Sequence, residues 1–227
     1  MAVYELLSPK IHSNLRLDSL KEKTPHFTQI VTSEFAAAAA CCPIMFTKEP
    51  DTGNFFAGVV LSLKPDEPEL KSLEERGGFN PLSLLCRGFY ISEEHIVIDR
   101  DNSRFNGNDG ELLFTESLQP ADCLRQIQNA LGKFHFGVEA TTRFINELVE
   151  LQLIEPIEMS LSFDNGERLT LQGLFTVSLD ALRDIDDVTA LKMFRSGHLE
   201  LAYLVAASLK QFPVLAHLRN QRLMLSH

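Results

Sequence analysis

The stretch Ile157-Glu158-Met159-Ser160-Leu161-Ser162-Phe163-Asp164-Asn165-Gly166-Glu167-Arg168-Leu169-Thr170-Leu171 decides the fold class. Apolar and polar residues alternate from Ile157 to Phe163, which puts Ile157, Met159, Leu161 and Phe163 on one face of a strand. Asn165-Gly166 supplies the positive φ angles of a tight turn, and Leu169 and Leu171 continue the pattern beyond it. The segment predicts a hairpin with Met159, Leu161, Leu169 and Leu171 on a buried sheet; Phe163, beside the turn, is left outside that set.

Upstream, Ile44-Met45-Phe46-Thr47 and Phe55 to Leu63 flank a Pro50-Asp51-Thr52-Gly53 turn and predict a second hairpin. Further strands are predicted at Leu84–Tyr90, Glu94–Ile98 and Glu111–Thr115. Ser33 before Glu34, Phe35 and the alanines 36–40 predicts an N-capped helix, stopped by Pro43 and packed closely on the sheet with little exposed surface. From Asp122 the period becomes helical: Leu124, Ile127 and Leu131 define one helix ending near Gly132. A longer one follows, from Val138 to Leu151. Ser178 and Asp187 are predicted N-caps and Gly197 a terminator, with a last helix from Leu199 to Phe212 continued after a break at Pro213. Lys64 to Gly78, with Pro65, Pro68 and Gly77-Gly78, reads as a surface loop. Strands therefore come in antiparallel neighbours rather than β-α-β alternation. The predicted class is α+β, antiparallel sheets built from hairpins and packed against several helices.

The 227 residues are 44% apolar and carry 21 Lys plus Arg against 31 Asp plus Glu, a net charge of −10. That composition suits a folded chain, as a single domain over 1–227 or as two closely packed halves of about 1–120 and 121–227. A net negative field opposes polyphosphate, so no nucleic acid is expected. No long apolar run suggests a membrane span, and MAVYELLSPK lacks the basic start and apolar core of a secretory signal. The expected location is the cytoplasm. Cys41 and Cys42 are adjacent while Cys86 and Cys123 stand alone, so no C-x-x-C pair is present; the thiols read as small buried apolar residues.

Asp99-Arg100-Asp101-Asn102-Ser103 is the most ligand-like stretch, because carboxylates at alternate positions suit a hard cation. Arg104 stands where a calcium loop needs Gly, and Gly110 where it needs Glu, so turn chemistry accounts for these residues. No metal or cofactor is expected. Seven histidines are scattered without metal-ligand spacing, and neither a nucleophile elbow nor a phosphate loop occurs. From Lys192 onward, Lys192, Arg195, Lys210, Arg219 and Arg222 face one acid, Glu200, a local excess of +4. Arg195, Lys210, Arg219 and Arg222 are candidates for docking an acidic partner, although cations also favour helix C-termini on their own account.

Ser33-Glu34-Phe35 with its alanines and Cys42-Pro43-Ile44-Met45-Phe46-Thr47-Lys48 resemble the opening block of the bacterial SapC family. Asp99 to Ser103 resembles its central acidic turn. Leu171-Gln172-Gly173-Leu174-Phe175, Ile185-Asp186-Asp187, Arg195-Ser196-Gly197 and Leu201-Ala202-Tyr203 are similar to its end block. Cys42 stands where an aromatic is usual, and Phe175 where Tyr is common. The likeness runs over roughly residues 8 to 220. It implies a link to surface-array or outer-envelope biology and a gene neighbourhood with TonB-dependent receptors, flavin-dependent tryptophan halogenases and cupin-like hydroxylases. It brings no catalytic residues. The leading expectation is a cytoplasmic accessory protein without a catalytic site of its own that binds a peptide, protein or small molecule of such a pathway. Its ligand-binding candidates are Glu34, Phe35, Asp99, Asp101 and Ser103. One alternative is a metal-dependent oxygenase or hydrolase using His95, Asp99 and Asp101, with His95 and Asp99 four apart on one side of a strand. Another is an S-layer-associated component.

Overall fold

The computed structural model describes residues 3–18, 24–65, 67–105, 107 and 109–225. Along the chain, β1 (Tyr4–Leu6) and β2 (Arg16–Leu17) precede β3 (Phe27–Gln29), a 3-10 turn at Thr32–Glu34 and α1 (Phe35–Ala39). The hairpin β4 (Ile44–Lys48) and β5 (Phe55–Val60) follows. Next come α2 (Leu82–Leu85), β6 (Phe89–Ser92), β7 (His95–Asp99), a 3-10 turn at Ser103–Phe105, β8 (Glu111–Leu112) and the long α3 (Asp122–Glu150). The chain ends with the hairpin β9 (Ile154–Ser162) and β10 (Arg168–Val177), then α4 (Leu179–Arg183), α5 (Asp187–Ser196), α6 (His198–Ser208) and α7 (Gln211–Leu225). Every strand pair is antiparallel, and the fold is α+β.

Two compact units divide the chain, one from 1–23 and 82–136, the other from 24–81 and 137–227. Residues 24–81 join the C-terminal segment, so the units interleave along the sequence. The first unit holds a sheet ordered β1-β7-β6 and the small pair β2-β8. Its core gathers Leu15, Phe89, Ile98, Phe105, Leu113 and the Leu124, Ile127 and Leu131 face of α3. The second unit holds the five-stranded sheet β3-β5-β4-β10-β9. Phe35 and Phe46 both pack on Phe144 of α3 there, with ring centroids 6.0 and 6.3 Å apart.

Both predicted hairpins form, but the second turns differently from the expected two-residue loop. Gly166 alone has positive φ at the tip (+84°), the Gly166 amide donates to Phe163 O at 2.9 Å, and the Phe163 amide donates to Glu167 O at 2.9 Å. This is a wider turn with glycine in the left-handed position. Met159, Leu161, Leu169 and Leu171 are half-buried rather than fully buried, and Phe163 at the turn, whose burial the sequence left open, is buried.

Several boundaries are corrected. Leu84 and Leu85 lie in the helical turn α2, and the strand begins at Phe89. α3 runs through Gly132 without a stop, because packing of its apolar face outweighs the ~1 kcal/mol that a helical glycine costs. Gly137 serves close approach: a Cβ there would sit 2.6 Å from the Val31 side chain. α3 ends at Glu150 and is closed off by Gln152 beyond it, with φ +56°, as the Leu153 amide reaches Leu148 O at 2.8 Å and the Gln152 amide reaches Val149 O at 3.0 Å. Asp186, not Asp187, caps α5 by accepting from the Val188 and Thr189 amides at 2.9 and 3.0 Å, and Gly197 (φ +80°) ends it as expected. Ser178 stands at the cap position of α4 without a side-chain cap bond. The last break falls at Leu209–Lys210, ahead of Pro213. By length and hydropathy His198–Leu225 would suit a membrane crossing; in the fold it is α6 and α7, with Val205, Phe212 and Leu215 buried.

Ser33 does not cap the alanine helix. Val31 precedes the 3-10 turn, and its amide donates to Glu34 Oε2 at 3.0 Å. Ala38 is fully buried, but Ala36, Ala37 and Ala40 face solvent, against the expectation of little exposed surface. Replacing Ala38 by Leu is expected to overpack the core and cost about 1–3 kcal/mol. Ala36→Leu and Ala37→Leu should stay within about 0.5 kcal/mol; urea midpoints of the three variants check this.

Candidate functional site

The acidic turn proves to be local scaffolding. Asp99 Oδ1 accepts the Asp101 amide at 3.2 Å and Asn102 Oδ1 accepts the Arg104 amide at 3.1 Å, the Asx geometry expected of turn residues. Asp101 is exposed and Ser103 opens the 3-10 turn. Asn106 and Asn108, which follow this turn in the sequence, lie outside the described residues. Arg104, buried beneath, donates to the carbonyls of Leu85 and Arg87 at 2.9 and 2.8 Å. His95 and Asp99 do share a side of β7, but four residues of strand separate them by about 13 Å, too far to share an ion. No group of three or more His, Cys, Asp or Glu that could hold a metal exists among the described residues. His95, Asp99 and Asp101 are thus not gathered into such a group.

Glu34 and Phe35 are also structural. Glu34 is buried with its carboxylate on the Val31 amide, and Phe35 is fully buried in the core. Of the four docking candidates, Arg195 and Lys210 are exposed. Arg219 is 2% exposed: its guanidinium donates to Glu67 (Nε to Oε2, 2.8 Å) and to Glu167 (2.9 Å) and lies 4.1 Å from the Phe163 ring centroid. Arg222 donates to the Pro68 and Glu69 carbonyls at 3.0 and 2.8 Å. These two cations hold the segment 67–69 against α7, so they are removed from the docking set. His227 lies outside the described residues.

Two clusters escaped the sequence reading because their members are far apart in the chain. Glu147 on α3 pairs with His198 Nδ1 at the start of α6, and its other oxygen takes Lys192 Nζ at 2.7 Å. Burial pushes the Glu147 carboxyl up, but hydrogen bonds from Lys192 and His198 override it and hold it below the usual range. The His198 ring stacks edge-on against Phe144, with centroids 5.3 Å apart. Its sequence signal was the Arg195-Ser196-Gly197-His198 turn. In the first unit a cavity of about 550 Å³ is lined by Glu5, His12, Asn14, Arg16 and Arg100. The Ser8 amide donates to His12 Nδ1 at 3.0 Å, so the ring proton sits on Nε2 and goes to Glu5 Oε2, 3.0 Å away. With both nitrogens engaged, this histidine bridges the Ser8 backbone and Glu5.

The second unit holds a cleft of about 440 Å³. It arises from the irregularity in β10 between Leu171 and Leu174, where Gly173 has φ +74° and its carbonyl accepts Thr47 Oγ1 at 3.0 Å. The backbone pairing of β10 with β4 registers at Phe175↔Phe46, beyond that bulge, while β10 pairs with β9 on toward the tip. Leu169, Leu171 and Leu174 line one part of the cleft, Phe27, Val60 and Leu63 another, and His26, Ser62 and Gln172 supply polar groups. Separately, α5 exposes Val188, Leu191 and Phe194, at 79%, 48% and 70%, beside Arg195.

A family model described as SapC matches residues 7–215. No curated protein and no solved structure matches the chain.

Asp99→Ala is expected to lose its turn bond at a cost of about 1 kcal/mol. Exposed Asp101→Ala should change stability by no more than about 0.5 kcal/mol, and calcium should leave both melting temperatures where they are; thermal denaturation with and without calcium checks both. At Glu167, hydrogen bonds from Lys64 and Arg219 hold the carboxyl down at about 2, against an ordinary 4.5. The unfolded chain therefore binds the extra proton first. The stabilisation is complete above pH 4.5 and is lost as pH falls toward 2. Urea midpoints across that window should fall less steeply for Glu167→Gln than for the wild type.

Proposed function

The chain belongs to the SapC family, and we propose that it is a cytoplasmic accessory protein that binds an apolar or aromatic ligand without transforming it. The observation that carries this reading is the cleft opened by the Gly173 bulge. Its size suits a small molecule or one peptide side chain, and its walls are leucine and phenylalanine with a few convergent polar groups, the usual make-up of a ligand site. The chemistry of the other clusters supports binding over catalysis: the His12 nitrogens are both engaged, and Asp99 and Asn102 bond their own turn. A ligand or partner drawn from a pathway of TonB-dependent receptors, tryptophan halogenases and hydroxylases fits the family's implied setting.

A second surface favours a protein partner. Val188, Leu191 and Phe194 are large, apolar and exposed on one short helix, an arrangement that marks contact sites more often than chance. Exposed Arg195 beside them suits a partner with acidic residues around an apolar centre.

The chain has no tryptophan, so the emission of an indole ligand is read without protein background. N-acetyltryptophanamide is expected to show a saturable blue shift on titration with the protein. Leu169→Glu, which places a charge in the cleft wall, should weaken it at least about tenfold while the circular dichroism spectrum is unchanged. No saturable shift, or an equal one in the variant, would refute the cleft as the site.

A further inference from the structure

Cys41 and Cys42 follow α1 in the turn that leads into β4. Their sulfurs are 3.7 Å apart, with the Cys42 thiol donating to Cys41 Sγ. Both residues are buried, at 4% and 1% exposure; the Cys41 thiol donates to the carbonyls of Ala37 and Ala38, each at 3.5 Å, and the neighbouring Ala37 and Ala40 are exposed with nothing beyond Cβ. Two cations attend the pair. Lys71 Nζ donates to the Cys41 carbonyl at 2.7 Å, and Arg76, 6% exposed, acts on both sulfurs electrostatically. Arg76 gives one arm to Glu69 at 2.8 Å, while its buried Nε has no hydrogen-bond partner.

We propose that Cys41 and Cys42 are a reversible thiol redox site whose oxidant is a hydroperoxide. The Cys41 thiolate attacks the O–O bond, taking one oxygen as sulfenic acid and releasing the other as water or an alcohol after protonation. The Cys42 sulfur then attacks Cys41 Sγ, the S–O bond breaks, and water leaves as the vicinal disulfide forms. Two thiols are oxidised by two electrons and one peroxide is reduced.

The order of roles follows from the surroundings. The hydrogen bond from Cys42 lowers the Cys41 thiol, against burial, to about 7, with Lys71 and Arg76 assisting. The same contact and burial push Cys42 up, so the first charge rests on Cys41 and Cys42 stays the protonated resolving thiol. Adjacent Cα atoms lie about 3.8 Å apart across a trans peptide, below the roughly 4.4 Å at which relaxed disulfides begin. The oxidised ring is therefore strained and easily reduced, which suits a switch and not a permanent staple. Closing it must disturb the turn whose carbonyls are held from outside: Ala40 O by Gln211 Nε2 at 3.1 Å, and Cys41 O by Lys71.

The test is peptide mass spectrometry of the folded chain after limiting hydrogen peroxide near neutral pH. The peptide carrying Cys41 and Cys42 is expected to lose two hydrogens, resist alkylation and regain both thiols with dithiothreitol, before Cys86 or Cys123 is modified. In Cys42→Ser, dimedone should label Cys41. Without any substitution, Cys41 should alkylate severalfold faster than Cys86 at neutral pH, because its thiol is held below the ordinary range. Both vicinal thiols remaining alkylatable at a peroxide dose that oxidises Cys123 would overturn the proposal. So would Cys41 passing to sulfinic acid while Cys42 stays reduced.

Discussion

A buried guanidinium organises the second unit. Arg219 on α7 is withdrawn from water and meets two carboxylates from different parts of the chain, Glu67 in the loop after β5 and Glu167 at the tip of the β9–β10 hairpin. Phe163 lies under its plane. Removing so large a cation from water costs several kcal/mol unless its donors are met; Glu67 and Glu167 meet Nε and Nη2, while Nη1 has no hydrogen-bond partner among the described residues. Lys64 adds a second cation on Glu167. The aromatic contact explains why Phe163, which belongs to a turn, is buried more deeply than the strand residues beside it. The guanidinium thus sets where the hairpin tip rests, and the Gly173 bulge sets where the hairpin departs from the sheet. The cleft is the space those two constraints leave.

Local signals were legible in the sequence where chemistry within a few residues decides the outcome. Asp164-Asn165-Gly166 made a turn, Ile44 to Thr47 made a strand, and Gly197 stopped a helix, since each depends on φ preference or side-chain alternation. Where an element's extent or its inner face was misjudged, tertiary packing overrode local preference. Gly132 sits mid-helix because the apolar face of α3 continues across it. Leu84 turns helical although its neighbours favour strand. The alanines 36–40 could not say which of them faces inward, because alanine carries no face of its own; only Ala38 does.

The candidate sites were less legible than the fold. Arg219 reads as a surface cation until its acids are known, and they stand 152 and 52 residues away. Glu147 and His198, 51 apart, are invisible as a pair for the same reason. The acidic turn looked like a cation loop because Asp and Asn serve both purposes, and only the direction of their bonds separates the two. The cysteine pair was plain in the sequence, but the cations near it, Lys71 and Arg76, come from a loop thirty residues on.

The interleaving of the units has a consequence for synthesis on the ribosome. β3, β4 and β5 emerge early, yet β4 needs β10 as its second neighbour, and Phe46 waits for Phe175. Until then the nascent chain carries a three-stranded fragment with an open edge and uncovered apolar residues such as Met45 and Phe46. Translation of the intervening segment takes seconds at ordinary elongation rates, on the order of 5–20 residues per second. During that interval the fragment is a substrate for chaperones and for self-association, and a ribosome stalled within α3 would release a product unable to complete its own sheet.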